Sequence, residues 1–211
     1  MALDLTPVHV APYSAELAAR AAELLTPGHQ YPPEQLEAVV KQIAARDDLW
    51  RPLVIVDESR RRYELLYEDR WIDIWVLSWM PGQRTGFHDH DRSGVGLCCA
   101  EGCLDEGRLV LGDRADPIRM TRGTSRNGPG GYIHSVAHVE GSPAVSIHAY
   151  SPPLLVVGQY AQDATGRLVR TPEHGRKELY DATIATDSVD LTASCPDGGT
   201  ATRGPSPGQF A

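Results

Sequence analysis

The chain has 211 residues, 41% of them hydrophobic and 23% charged, a balance that excludes a disordered or fibrous protein and suits one domain with a real core. A formal net charge of −8 gives no electrostatic reason to bind nucleic acid or an anionic membrane, so a small molecule is the expected partner. Met1 to Val10 show no basic start followed by an apolar run, and no apolar stretch reaches the ~18 residues of a membrane span, so a cytoplasmic protein is expected.

In chain order, Ser14 to Leu25 opens on an N-capping serine, is rich in Ala, Leu and Glu, and meets Thr26-Pro27-Gly28, which predicts a helix ending there. A second helix is expected from Pro32-Pro33, with Leu36, Val39, Val40 and Ile43 at helical spacing up to Asp47. Residues 1–50 therefore read as an N-terminal helical segment. After Trp50 come short β-prone runs broken by Gly, Pro and Asp: Val54-Ile55-Val56, Leu65-Leu66-Tyr67, Trp71 to Trp79, Val95 to Cys99, Leu109 to Leu111 and Ala144 to Tyr150. Strands without alternating helices predict an antiparallel sandwich or barrel over 51–190. From about Thr192 the chain is dominated by Thr, Ser, Gly and Pro, so 191–211 is expected to be a flexible tail.

Cys98, Cys99, Cys103 and Cys195 are too few and too clustered for a disulfide scaffold and lack a second pair at zinc-finger spacing; thiols buried on a strand are the reading adopted. The chemistry concentrates elsewhere, in Pro81 to His90. On a strand, His88 and His90 point to one face and Asp89 to the other, so the two imidazoles form a chelate.

This stretch resembles the first cupin motif, Gly-x5-His-x-His, through Gly82, His88 and His90; the frame continues to Gly102, but Val95 stands where the motif has its glutamate. Gly123, Pro129, Gly131 and His134 match the second cupin motif, with His138 where asparagine is usual. The resemblance implies an all-β jelly-roll barrel, mainly antiparallel, carrying N-terminal helices, and makes His134 the third metal ligand beside His88 and His90. His138 is expected to serve a turn or an outer position instead.

A three-histidine cupin site without a carboxylate leaves coordination positions open and is similar to that of the thiol dioxygenases, the family of cysteine dioxygenase. Ser146-Ile147-His148-Ala149-Tyr150-Ser151-Pro152-Pro153 resembles that family's Ser-x-His-x-Tyr-Ser-Pro-Pro segment, and alternation puts Ser146, His148 and Tyr150 on one face. The resemblance implies Fe(II) as cofactor, a small thiol and O2 as substrates, and a relay in which Ser146 and His148 orient the Tyr150 hydroxyl. The family's substrate carboxylate is held by an arginine or glutamine on an earlier strand. Counting back from Trp79 puts Arg62 there, alignment on Leu65-Leu66-Tyr67 puts Tyr63 there, and Arg60 and Arg84 are further candidates.

The implied function is oxidation of cysteine or a similar thiol carboxylate to a sulfinate. A cupin of specialised metabolism that carries cysteine further, for instance to a sulfonamide, is one alternative. A non-oxygenase cupin, either an isomerase or a metal-stabilised binding module, is another.

Overall fold

Ser14 caps the first helix, α1 (Ala15–Ala22), its hydroxyl accepting from Leu17 N at 3.3 Å. The computed structural model describes residues 14–110 and 113–174, so the expected tail at 191–211 and the last residues of the segment 51–190 lie outside the described residues. Helix α2 (Pro33–Ala44) has proline in its first turn, where the missing N–H costs nothing, and a one-turn helix, α3 (Asp47–Trp50), follows. No helix among the described residues is long and apolar enough to cross a membrane.

Among the described residues, eleven strands then form two antiparallel sheets. The five-stranded sheet runs in the order β1 (Arg62–Glu68), β2 (Asp73–Trp79), β9 (Ala144–Ser151), β4 (Gly94–Glu101), β7 (Ser125–Gly128). The six-stranded sheet runs β11 (Leu168–His174), β10 (Val156–Gln162), β3 (Phe87–Asp89), β8 (His134–Ala137), β5 (Cys103–Val110), β6 (Asp113–Thr121). This is the mainly antiparallel cupin jelly roll with N-terminal helices that the motifs imply. Val54 to Val56, expected as β-prone, joins no ladder; Val56 is 60% exposed, and only the amide of Ile55 is tied to the sheet, by the Ser78 hydroxyl.

The five-stranded sheet is buried on both faces. Trp75, Leu77, Trp79, Val95, Leu97, Cys99 and Tyr150 face the barrel interior, while Ile74, Val76, Cys98, Ala100, Ile147 and Ala149 pack under the helices with Leu36, Val40 and Ile43. Burial pushes the thiols of Cys98 and Cys99 up to about 11 and about 12, so both are inert, as the strand reading of these two expects. Cys103, at the start of β5, is instead disulfide-bonded, which corrects its reading as a free strand thiol. Gly96 shows how closely α2 lies on β4. A Cβ at this position would stand 2.5 Å from the Leu36 carbonyl carbon and 2.7 Å from Glu37 N, both backbone atoms that cannot swing aside. Gly96→Ala is therefore expected to destabilise the fold by about 1–3 kcal/mol, the cost of overpacking, and a denaturant melt against wild type measures it.

Candidate metal centre

The jelly roll places chemistry between its sheets. His88 lies on β3 directly opposite His134 on β8, and His90 follows β3 in a loop pinned by its amide to Gly130 O at 3.2 Å. Gly130 permits that approach, since a Cβ there would sit 2.3 Å from Asp91 O. The result is three buried imidazoles whose ligand atoms all lie within 4.8 Å of one another.

The donor chemistry fits a divalent metal. Nδ1 of His88 donates to Gly86 O at 2.9 Å and Nδ1 of His134 donates to Glu106 Oε1 at 2.9 Å; a carbonyl and a carboxylate can only accept, so each ring keeps its proton on Nδ1 and its lone pair on Nε2. Among the described residues, both ring nitrogens of His90 are buried without a hydrogen-bond partner. Leaving a buried polar atom unsatisfied costs about 1–3 kcal/mol, and a bound cation removes that cost for the lone pair. Burial, with the neighbouring imidazoles adding to it, holds His90 well below the ordinary imidazole value, so it stays neutral as a ligand must. Val95, where the motif glutamate would stand, is fully buried in the apolar interior, so no carboxylate enters the ligand set from this position.

His138 is not part of this group: its Nδ1 donates to Cys103 O at 2.9 Å and its backbone pairs with Gln83.

The opposite sheet supplies the tyrosine. On β9, His148 Nδ1 lies 3.2 Å from Tyr150 Oη and His148 Nε2 lies 3.0 Å from Ser146 Oγ, with the rings of His90 and Tyr150 4.9 Å apart. Trp79 Nε1 also donates to Ser146 Oγ, at 2.9 Å. Burial first, then His134, Arg61 and His88, keep His148 neutral by pushing its value well down.

The four alternatives that the sequence offers for holding a substrate carboxylate, Arg62, Tyr63, Arg60 and Arg84, are not brought together. Arg62 points to the outer face of β1, paired with Asp57 at 3.6 Å and Glu64 at 3.3 Å. Arg84 is half-buried and bridges by its backbone to Ala137. Tyr63 faces the interior, its ring 6.0 Å from that of Trp75. The cation on the interior side is instead Arg61, 3% exposed, its guanidinium 4.8 Å above the Trp79 ring and close enough for its charge to act on His148. Arg60, by contrast, is ion-paired with Asp57 at 3.4 Å, with its side chain 40% exposed.

Two further groups escaped the sequence. Glu106 on β5 is fully buried and accepts from Tyr132 Oη as well as from His134. Burial and the Glu106 carboxylate both raise Tyr132, which stays a neutral donor. Asp89, between the two ligands of the His-x-His segment, accepts from Arg170 Nε and Nη2 at 2.7 Å each and from Tyr160 Oη at 2.6 Å. Burial works to raise the Asp89 carboxyl, but these bonds prevail and hold it at about 2. The β10–β11 hairpin is thereby tied to the His-x-His segment from behind. A cleft of about 410 Å³ has His90 in its lining, with Arg70, Arg92, Ser93, Pro152 and Leu155 also in its walls.

The family model described as cysteine dioxygenase type I matches residues 15–163, a span that contains all of these groups except Arg170. The chain belongs to this family. Cysteine dioxygenase type 1 of Rattus norvegicus is 27% identical over 132 residues, a match covering 57% of this chain and 65% of that one, so the chain spans just under two thirds of this relative's length. Cysteine dioxygenase type 1 of Homo sapiens is 24% identical over 146 residues, 64% of this chain and 72% of that one. In fold the chain is similar to crystal structures of a Thermus thermophilus protein (19% identity, 49% of this chain and 93% of that one, TM-score 0.43) and of a cupin protein from Desulfovibrio desulfuricans (24% identity, 47% and 90%, TM-score 0.40).

Proposed function

We propose that this protein is an Fe(II)-dependent dioxygenase that converts the thiol of cysteine, or of a similar small thiol carboxylate, to a sulfinate with O2. The observation that carries this reading is the donor set: three buried imidazoles whose ligand atoms lie within 4.8 Å of one another, with a tyrosine-bearing strand facing them and no carboxylate ligand at position 95. Iron at His88, His90 and His134 would supply open coordination positions and a site where a thiol is more acidic.

The protein's own residues then bind and orient. Arg61 is the group suited to clamp the substrate carboxylate, because a buried guanidinium makes a bidentate, charge-assisted pair. Trp79 beneath it fixes its plane and, through Ser146, reaches the relay. With the Trp79 N–H occupying one lone pair of Ser146 Oγ, the serine hydroxyl can donate to His148 Nε2. The imidazole proton is then on Nδ1 and donates to Tyr150 Oη, so that His148 orients the phenol beside the His90 ring. In the net reaction both atoms of O2 are added to sulfur, which is oxidised as O2 is reduced.

The test is oxygen consumption by iron(II)-loaded protein with cysteine, mercaptopropionate, mercaptosuccinate and cysteamine. The expected result is uptake with cysteine or another thiol carboxylate and slower turnover of cysteamine, which has no carboxylate for Arg61. A clear preference for cysteamine would contradict the assigned substrate class.

A further inference from the structure

Each of the three imidazoles has a different group behind it. His88 rests on a neutral carbonyl, His90 has no hydrogen-bond partner among the described residues, and His134 is backed by a carboxylate. That carboxylate, Glu106, is fully buried, a costly place for a charge unless its environment compensates. It is compensated by the two hydrogen bonds at Oε1, each 2.9 Å, from Tyr132 Oη and His134 Nδ1, and by Arg126 Nε 3.7 Å from Oε2. The strand register builds the arrangement: on β5, Arg108 is opposite His134 and Glu106 opposite Val136, so the glutamate side chain leans diagonally onto the imidazole.

A carboxylate on the far nitrogen of a metal-bound imidazole fixes the ring's tautomer and plane and makes its metal-facing nitrogen a stronger donor. We propose that Glu106 is a positioning residue that acts through His134, holding Nε2 toward the metal and placing outside the ligand set the negative charge that a glutamate at position 95 would place within it. Coordination positions stay open for substrate while the metal still has an anion close by. Tyr132 and Arg126 serve this arrangement by holding the carboxylate in place. The proposal rests on the reading of His88, His90 and His134 as metal ligands.

The experiment is a titration of metal-free wild-type protein, Glu106→Gln and Tyr132→Phe with Co(II), followed by visible absorption and by competition with a chelator, alongside thermal melts of the metal-free forms. Glu106→Gln keeps the size and an acceptor oxygen but loses the charge, and is expected to weaken Co(II) binding about 10–100-fold with an altered absorption envelope. Tyr132→Phe is expected to shift affinity in the same direction by less. Wild-type affinity in Glu106→Gln, even with a lowered metal-free melting temperature, would reduce Glu106 to a structural role and overturn the proposal. Should Glu106→Gln not fold, wild-type affinity in Tyr132→Phe would do the same. Failure of the wild type itself to bind Co(II) would overturn the metal reading along with it. Tight binding that depends on Glu106, without thiol oxidation in the iron form, would uphold the proposal and contradict only the assigned reaction.

Discussion

His134→Ala is expected to abolish metal retention and reduce thiol-dependent oxygen uptake to background, whereas His138→Ala leaves the metal in place. The two histidines are four residues apart and equally buried, so burial does not distinguish them. Their geometry does. His134 turns Nε2 into the cluster with His88 and His90, its far nitrogen held by Glu106, whereas His138 is outside the group and is spent on the backbone carbonyl of Cys103. Two remaining imidazoles cannot define the three-donor face on which the open positions depend, so losing one ligand removes far more than a third of the affinity. Metal analysis after dialysis, set beside oxygen-electrode traces for both variants, checks the contrast. Metal retained by His134→Ala and lost from His138→Ala would reverse the ligand assignment.

The second large effect concerns Arg61. Arg61→Met keeps the length and the apolar stem that lies on Trp79 but deletes the charge. Truncating one partner of a buried charge pair costs about 2–5 kcal/mol, and ~1.4 kcal/mol is tenfold, so KM for cysteine is expected to rise by a factor between about 30 and several thousand. Arg62→Met should change KM little, because its partners are Asp57 and the buried Glu64 on the outer face of β1, away from the barrel interior. Cysteamine turnover should be nearly insensitive to either substitution. Steady-state kinetics on the two variants with the two thiols separates a carboxylate clamp from a general loss of folding, since only the former discriminates by substrate.

The neighbouring arginines also show where the sequence ceased to be legible. A gapless count back from Trp79 to the clamp position runs along β1 and is sound only if that strand is regular. Here a register shift between Leu65 and Tyr67 breaks the period, and Leu65 and Leu66 are both apolar because the sheet is covered by the barrel interior on one side and by helices on the other. A count through that bulge moves the inward position from Arg61 to Arg62. On β9 the same counting has no irregularity to cross, and Ser146, His148 and Tyr150 are indeed linked by hydrogen bonds along one face.

The histidine cluster was legible because motif spacing encodes it, even though His90 lies just past the end of β3, in a loop where strict alternation no longer applies. Glu106 was not: it stands in Asp105-Glu106, which reads as ordinary strand polarity, and only the β5–β8 register brings it to His134. The Asp89–Arg170 link is likewise invisible to spacing, since the partners are 81 positions apart and meet through β10. The first two helices were legible, from the Ser14 cap to the Leu36, Val39, Val40 and Ile43 stripe, because capping and 3.6-residue periodicity are local properties, whereas the single turn of α3 was not.

The central claim, that a three-histidine centre in this barrel adds both atoms of dioxygen to a thiol, is tested most directly by isotope. Iron(II)-loaded protein should be turned over with cysteine under ¹⁸O2 in unlabelled water and the product analysed by mass. The expected product is a sulfinate carrying both labelled atoms. A product with one label or none, or no oxygenated product from any of the four thiols while the metal stays bound at His88, His90 and His134, would contradict it.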